Sequence, residues 1–171
     1  MSTTDQLQRL LDPSYVSELS ARTTEDLRAM KSECAQLEHA VSYYRRLAQG
    51  RIEILGAERA RRDRGGSVEE LIAELPRILA GEGARPSAPN ARFADPEVPT
   101  IELRFPGGEE QLVADDTLAQ LPRLSDEQLS GALDALRAFE EGLSAARHGL
   151  HGVIDRIELE LATRQAAGTL G

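Results

Sequence analysis

The sequence predicts an all-α protein: an antiparallel two-helix coiled-coil hairpin, with short accessory helices and a small β-hairpin in the interhelix segment. Three observations carry this. Apolar residues recur in alternating steps of three and four over 23–64 and again over 125–165. A capping signal opens each run. The stretch between them is broken by Gly and Pro and contains one short alternating pair of segments.

In chain order, residues 1–22 hold an apolar cluster of Leu7, Leu10, Leu11, Tyr15, Val16 and Leu19, interrupted at Asp12-Pro13. This reads as a short helical segment that packs on another element. Thr23 then caps the first long helix, with Asp26 answering three residues on. Its seam is Leu27, Met30, Cys34, Leu37, Val41, Tyr44, Ala48 and Leu55, and the helix stops before Gly65-Gly66. Ser67 and Glu70 form a second capping box for a short helix over 67–80. Residues 81–98 are rich in Gly, Pro and Ala and read as a flexible linker. TIELRF, PGG and EEQLV read as a β-hairpin over 99–114, although two strands alone are marginal. Ser125 and Gln128 cap the second long helix, 125–165, whose seam is Leu133, Leu136, Phe139, Leu143, Ala146, Leu150, Val153 and Ile157. Residues 166–171 form a tail.

Composition excludes several function classes. The chain has 171 residues, a formal net charge of −9 and a pI near 4.9. Such a field repels polyanions, so direct nucleic-acid and membrane partners are not expected, and a basic protein surface is. The single cysteine, Cys34, allows neither an intramolecular disulfide nor a CxxC zinc site, and it reads as a small buried hydrophobe. The N-terminal run MSTTDQLQRLLD lacks the basic and apolar regions of a signal peptide, and no stretch approaches the ~20 apolar residues of a membrane span. The expected location is the cytoplasm.

A polar pattern occurs twice. Glu38, Ser42, Arg45, Gln49 and Glu53 share their spacing with Glu140, Ser144, Arg147, His151 and Asp155, at a constant offset of 102. The seams obey the same offset: Leu37, Val41, Ala48 and Ile52 correspond to Phe139, Leu143, Leu150 and Ile154. Steps of 4, 3, 4 and 4 place each set within an arc of about 80° and a length of about 22 Å, beside the seam. One polar helix face is normally just the solvated one. Duplication of an inert helix would preserve the seam but has no reason to keep a matching ladder. An antiparallel pairing about a pseudo-twofold axis would set both ladders along one groove. Arg reaches the acceptor edge of guanine or a phosphate, and a carboxylate accepts from the guanine N1–H and N2–H₂ donors. The same residues are a poor recipe for catalysis. No nucleophile–His arrangement, P-loop, GxGxxG, HExxH or hard-cation spacing is present, so no enzyme, catalytic cofactor or metal is expected.

The pattern E-x3-S-x2-R-x3-Q-x3-D, present twice, resembles the signature of the RsiG family of actinobacterial anti-sigma factors, and LEHAVSYYRRLAQGRIEIL is similar to that family's first motif. The resemblance implies that Glu38, Ser42, Arg45, Gln49, Glu140, Ser144, Arg147 and Asp155 bind cyclic di-GMP. It implies two ligand molecules, bound as a dimer. It further implies a WhiG-type sigma factor as the partner held in the liganded state, and control of sporulation transcription. Glu53 stands where Asp is expected and His151 where Gln is expected; both occupy ladder positions. Rival readings are a ligand-independent coiled-coil adaptor, another polymerase-binding coiled-coil regulator, and an enzyme acting on cyclic dinucleotides. The first two need no symmetric Arg/Glu ladder, and the third lacks a metal or nucleophile site.

Overall fold

The computed structural model describes residues 3–80, 98–99, 103–105, 107–113 and 116–168. All regular structure among them is helical: α1 (Thr3–Leu11), α2 (Thr24–Arg64), α3 (Val68–Ala80), α4 (Asp116–Gln120) and α5 (Asp126–Ala166), joined in places by 3-10 turns. The two long helices have 41 residues each. Their starts are set by side chains satisfying free backbone groups. Asp26 N donates to Thr23 Oγ1 at 3.0 Å while Thr23 N donates to Asp26 Oδ2 at 3.2 Å. Ser125 and Gln128 exchange the equivalent pair at 2.9 and 3.2 Å. Glu70 N donates to Ser67 Oγ at the start of α3. α2 ends at Gly65, whose φ of +67° is a conformation that a side chain disfavours.

The chain forms two units. The first comprises Met1–Tyr43, Val98–Gly108 and Gly142–Gly171; the second comprises Tyr44–Glu97 and Glu109–Glu141. Each takes one part of α2 and one part of α5. In the first unit the helices run antiparallel, since Thr24 meets Arg164, Lys31 meets Glu158 and Glu38 meets Arg147. Leu27, Cys34, Leu37, Val41, Leu143, Leu150 and Ile157 are buried there. Burial also pushes the Cys34 thiol above its ordinary value. α1 packs on α5 at Gly149, where a Cβ would stand 2.7 Å from Leu11 Cδ2. An Arg9–Glu33 ion pair and a 3.1 Å bond from Tyr15 OH to Glu33 fasten the N-terminal segment to α2. Arg164 closes the end of the unit by donating to the carbonyls of Leu19 and Ser20.

In the second unit the helices are again antiparallel, with Arg45 meeting Glu140, Arg59 meeting Ser130 and Arg62 meeting Asp126. Ala48, Leu55, Leu129, Leu133, Leu136 and Phe139 are buried. The end of this unit is an ionic lock. Glu58 is 3% exposed and accepts from Arg61 at 2.7 and 2.8 Å and from Arg62 at 2.6 Å. Arg62 also donates to the carbonyls of Leu121 and Leu124. The Arg61 and Arg62 bonds hold the Glu58 carboxyl far below its ordinary value, at about 2.

The expected β-hairpin over 99–114 is not present among the described residues. Leu103–Phe105 is irregular and Glu109–Val113 is a 3-10 helix. The reason is that a two-strand ladder is weak and each half finds a better partner. Arg104 N donates to Thr3 Oγ1 at 2.7 Å and Leu103 is fully buried, both in the first unit. The Val113 carbonyl accepts from Arg51 in the second. The expected flexible linker over 81–98 lies, except for Val98, outside the described residues, as do 169–171 of the tail.

Candidate functional site

The ladder residues converge in two clusters, one per unit. In the first, three groups donate to one carboxylate oxygen, Glu38 Oε1: Ser42 Oγ at 2.7 Å, Arg147 Nε at 3.0 Å and His151 Nε2 at 3.0 Å. Arg147 Nε also reaches Ser42 Oγ at 2.9 Å. Glu38 keeps 20% of its side-chain surface, and Arg147 and His151 keep 40% and 43%. Burial pushes the Glu38 carboxyl upward, but the bonds from Ser42, His151 and Arg147 outweigh it and leave it below its ordinary value.

In the second cluster, Glu140 Oε1 accepts from Arg45 Nη1 at 3.2 Å and from Gln49 Nε2 at 3.0 Å. Arg45 Nε is buried and has no acceptor among the described residues. A buried donor in that state costs about 1–3 kcal/mol, so a ligand oxygen placed there would recover an existing deficit.

The two clusters are the same arrangement with the sequence copies exchanged. Glu38 of the first copy meets the Arg and the fourth rung of the second copy, Arg147 and His151. Glu140 of the second copy meets the Arg and the fourth rung of the first, Arg45 and Gln49. The constant offset could have shown this pairing, since antiparallel helices bring the start of one repeat to the end of the other, but residue types alone do not name the partners. Ser144 is half-buried in the first unit, while Glu53 and Asp155 are exposed and stand outside both clusters. Six of the ten ladder residues therefore lie in the first unit and four in the second.

Each cluster pairs a carboxylate with a guanidinium and a further donor, on rigid helices. That set can read a purine edge and hold an anion. Among the described residues no group of three His, Cys, Asp or Glu is placed to hold a metal ion. No helix of the described residues is long and apolar enough to cross a membrane.

The model of a protein family described as RsiG-like matches residues 13–79 and 115–170, which include all ten ladder positions. The chain belongs to the RsiG-like family. Membership carries an anti-sigma-factor role, with a sigma factor as partner. No curated protein matches the chain.

Proposed function

We propose that this protein is a cyclic di-GMP-dependent anti-sigma factor that sequesters a WhiG-type, flagellar-class sigma factor and so represses its transcription in sporulation. In this reading it is a cytoplasmic regulator and not an enzyme, and it is built as an antiparallel coiled-coil hairpin. Cyclic di-GMP is an effector, bound as two molecules. The observation that supports the reading most is the doubled cluster: Glu38 with Arg147 and His151, and Glu140 with Arg45 and Gln49. A ligand assembly with twofold symmetry presents the same face twice and uses the same residues twice. The buried Arg45 Nε adds a donor aimed at no acceptor among the described residues, as a phosphate oxygen requires.

The acidic chain offers little for general polyanion binding, yet two fixed guanidiniums suffice locally for a phosphodiester. Ligand bound at both clusters would replace Glu–Arg bonds within the protein by Arg–phosphate and Glu–guanine bonds, and would present its remaining surface to a sigma factor. Such a switch requires differential affinity; a tenfold effect needs about 1.4 kcal/mol of coupling. By reciprocity, the sigma factor tightens nucleotide binding by the same factor.

Calorimetry of the purified protein with cyclic di-GMP, alone and with the sigma factor, tests the proposal. Sigma binding of equal strength with and without nucleotide would leave a ligand-blind anti-sigma factor. Arg45→Ala and Arg147→Ala should each weaken nucleotide binding by about a hundredfold or more, the scale of a charge-assisted bond. Cyclic di-AMP should bind far worse, since adenine lacks the N1–H and N2–H₂ donors; equal binding of the two nucleotides would count against guanine readout.

A further inference from the structure

The two clusters differ in one titratable group. At the fourth rung Gln49 donates to Glu140 Oε1 at 3.0 Å, and at the equivalent place His151 lies 3.0 Å from Glu38 Oε1. An ionised carboxylate only accepts, so His151 Nε2 carries the hydrogen and Nδ1 is the nitrogen left to bind a second proton. The ring is 43% exposed, so that nitrogen can exchange with solvent. With neutral imidazole, Glu38 and Arg147 cancel and the cluster carries no net charge, just as Glu140 and Arg45 cancel in the other unit. A protonated His151 makes the first cluster net positive. Gln49 cannot do the same for the second.

The charges around the ring are of both signs: the Glu38 carboxylate attracts a second positive charge there, and the Arg147 guanidinium on the same oxygen repels it until an anion arrives. From α2 the group facing His151 is Glu38. Along α5 the charged or titratable neighbours within a turn are Arg147, His148 and Asp155. One turn further, Glu158 is engaged by Lys31. α1 meets α5 at Gly149 through the apolar Leu11, and its Arg9 is paired with Glu33. The Glu38 carboxyl, held below its ordinary value by Ser42, His151 and Arg147, remains an anion facing the ring at neutral pH.

We propose that His151 sets nucleotide affinity at the Glu38 cluster by taking up a proton at Nδ1 as the anionic phosphodiester arrives, whereas the Glu140 cluster binds without proton uptake. The inference rests on the cyclic di-GMP reading and deepens it, making the two ligand-binding clusters chemically unequal. The only bond formed is N–H at Nδ1, and the proton comes from the solvent or its buffer acid, which is left as the conjugate base. A single linked proton changes affinity by at most tenfold per pH unit.

The test is calorimetry with cyclic di-GMP at pH 6 and pH 8, repeated near pH 6.5 in two buffers of different protonation heat. The wild type should bind about fivefold tighter at pH 6 than at pH 8 and take up a fraction of a proton, within the limit set by one linked proton. His151→Gln, which copies the rung of the other cluster, should bind with no uptake and a flat profile. Gln49→His should steepen the profile and increase the uptake. Thermal melting of both variants confirms that they fold. Equal proton uptake by wild type and His151→Gln, or proton release by the wild type, overturns this inference while leaving the ligand site standing. Failure of the wild type to bind cyclic di-GMP at either pH overturns the site reading, and this inference with it.

Discussion

Around Glu38 the guanidinium of Arg147 arrives through Nε, which a serine hydroxyl also contacts. Around Glu140 the guanidinium of Arg45 arrives through Nη1 and its Nε stays buried without an acceptor among the described residues. The ladder is duplicated in sequence and in its main bonds, but the two copies are finished differently. The outer ends of the units diverge further. The first is closed by Arg164 on the carbonyls of Leu19 and Ser20, the second by Glu58 between Arg61 and Arg62. What repeats is the carboxylate–guanidinium cluster proposed to hold the ligand; what closes the outer end of each unit does not repeat.

The largest effect expected from breaking this difference is at Glu58. Removing the shared anion with Glu58→Ala leaves two guanidiniums at 17% exposure without the carboxylate they share and should cost about 3 kcal/mol, measured by urea unfolding. The pH dependence has a definite sign. The folded carboxyl, near 2, lies below its ordinary 4.5, so the stabilisation is complete above 4.5 and is lost as pH falls from there toward 2. Glu58→Gln should flatten the acid limb in that window, and an unchanged acid limb would show that the lock does not link folding to protons.

Arg164→Ala, the counterpart lock of the first unit, should cost less, about 1–2 kcal/mol. It loses bonds to two carbonyls and its ion pair with Glu160, but Glu160 is 24% exposed and can be rehydrated, whereas Glu58→Ala removes the anion that two half-buried guanidiniums share. A loss larger than that of Glu58→Ala would reverse the ranking of the two ends.

Between the locks, Glu38→Gln and Glu140→Gln should each cost about 1 kcal/mol of stability. Similar losses would sharpen the equivalence of the clusters, and a severalfold difference would break it. The smallest effects are at glycines. Gly152→Ala meets open space and should gain about 0.5–1 kcal/mol of stability from helix propensity. Gly149→Ala should gain less, because the Leu11 methyl must move aside for the new Cβ. Equal gains in thermal melting would mean that α1 yields freely at that contact.

The sequence by itself determined the all-α class, the seams, the caps and the ladder, because each depends on residues within a few turns of one another. Leu37, Val41, Leu143 and Leu150 are buried where a period of three and four placed them, and Thr23 with Asp26 and Ser125 with Gln128 make the bonds their spacing allows. The short helical turns over 116–123 carry no such local signal. Only the tertiary structure decided which rung meets which, that Glu53 and Asp155 stand apart from the clusters, and that Glu58 is buried beneath two arginines. It also decided the fate of 99–114. A strand pattern there is locally reasonable, but Thr3 takes the Arg104 N–H and Arg51 takes the Val113 carbonyl. These partners lie 101 and 62 residues away along the chain, and no local propensity reports a bond at that distance. A backbone group takes whichever buried partner the packed helices bring to it.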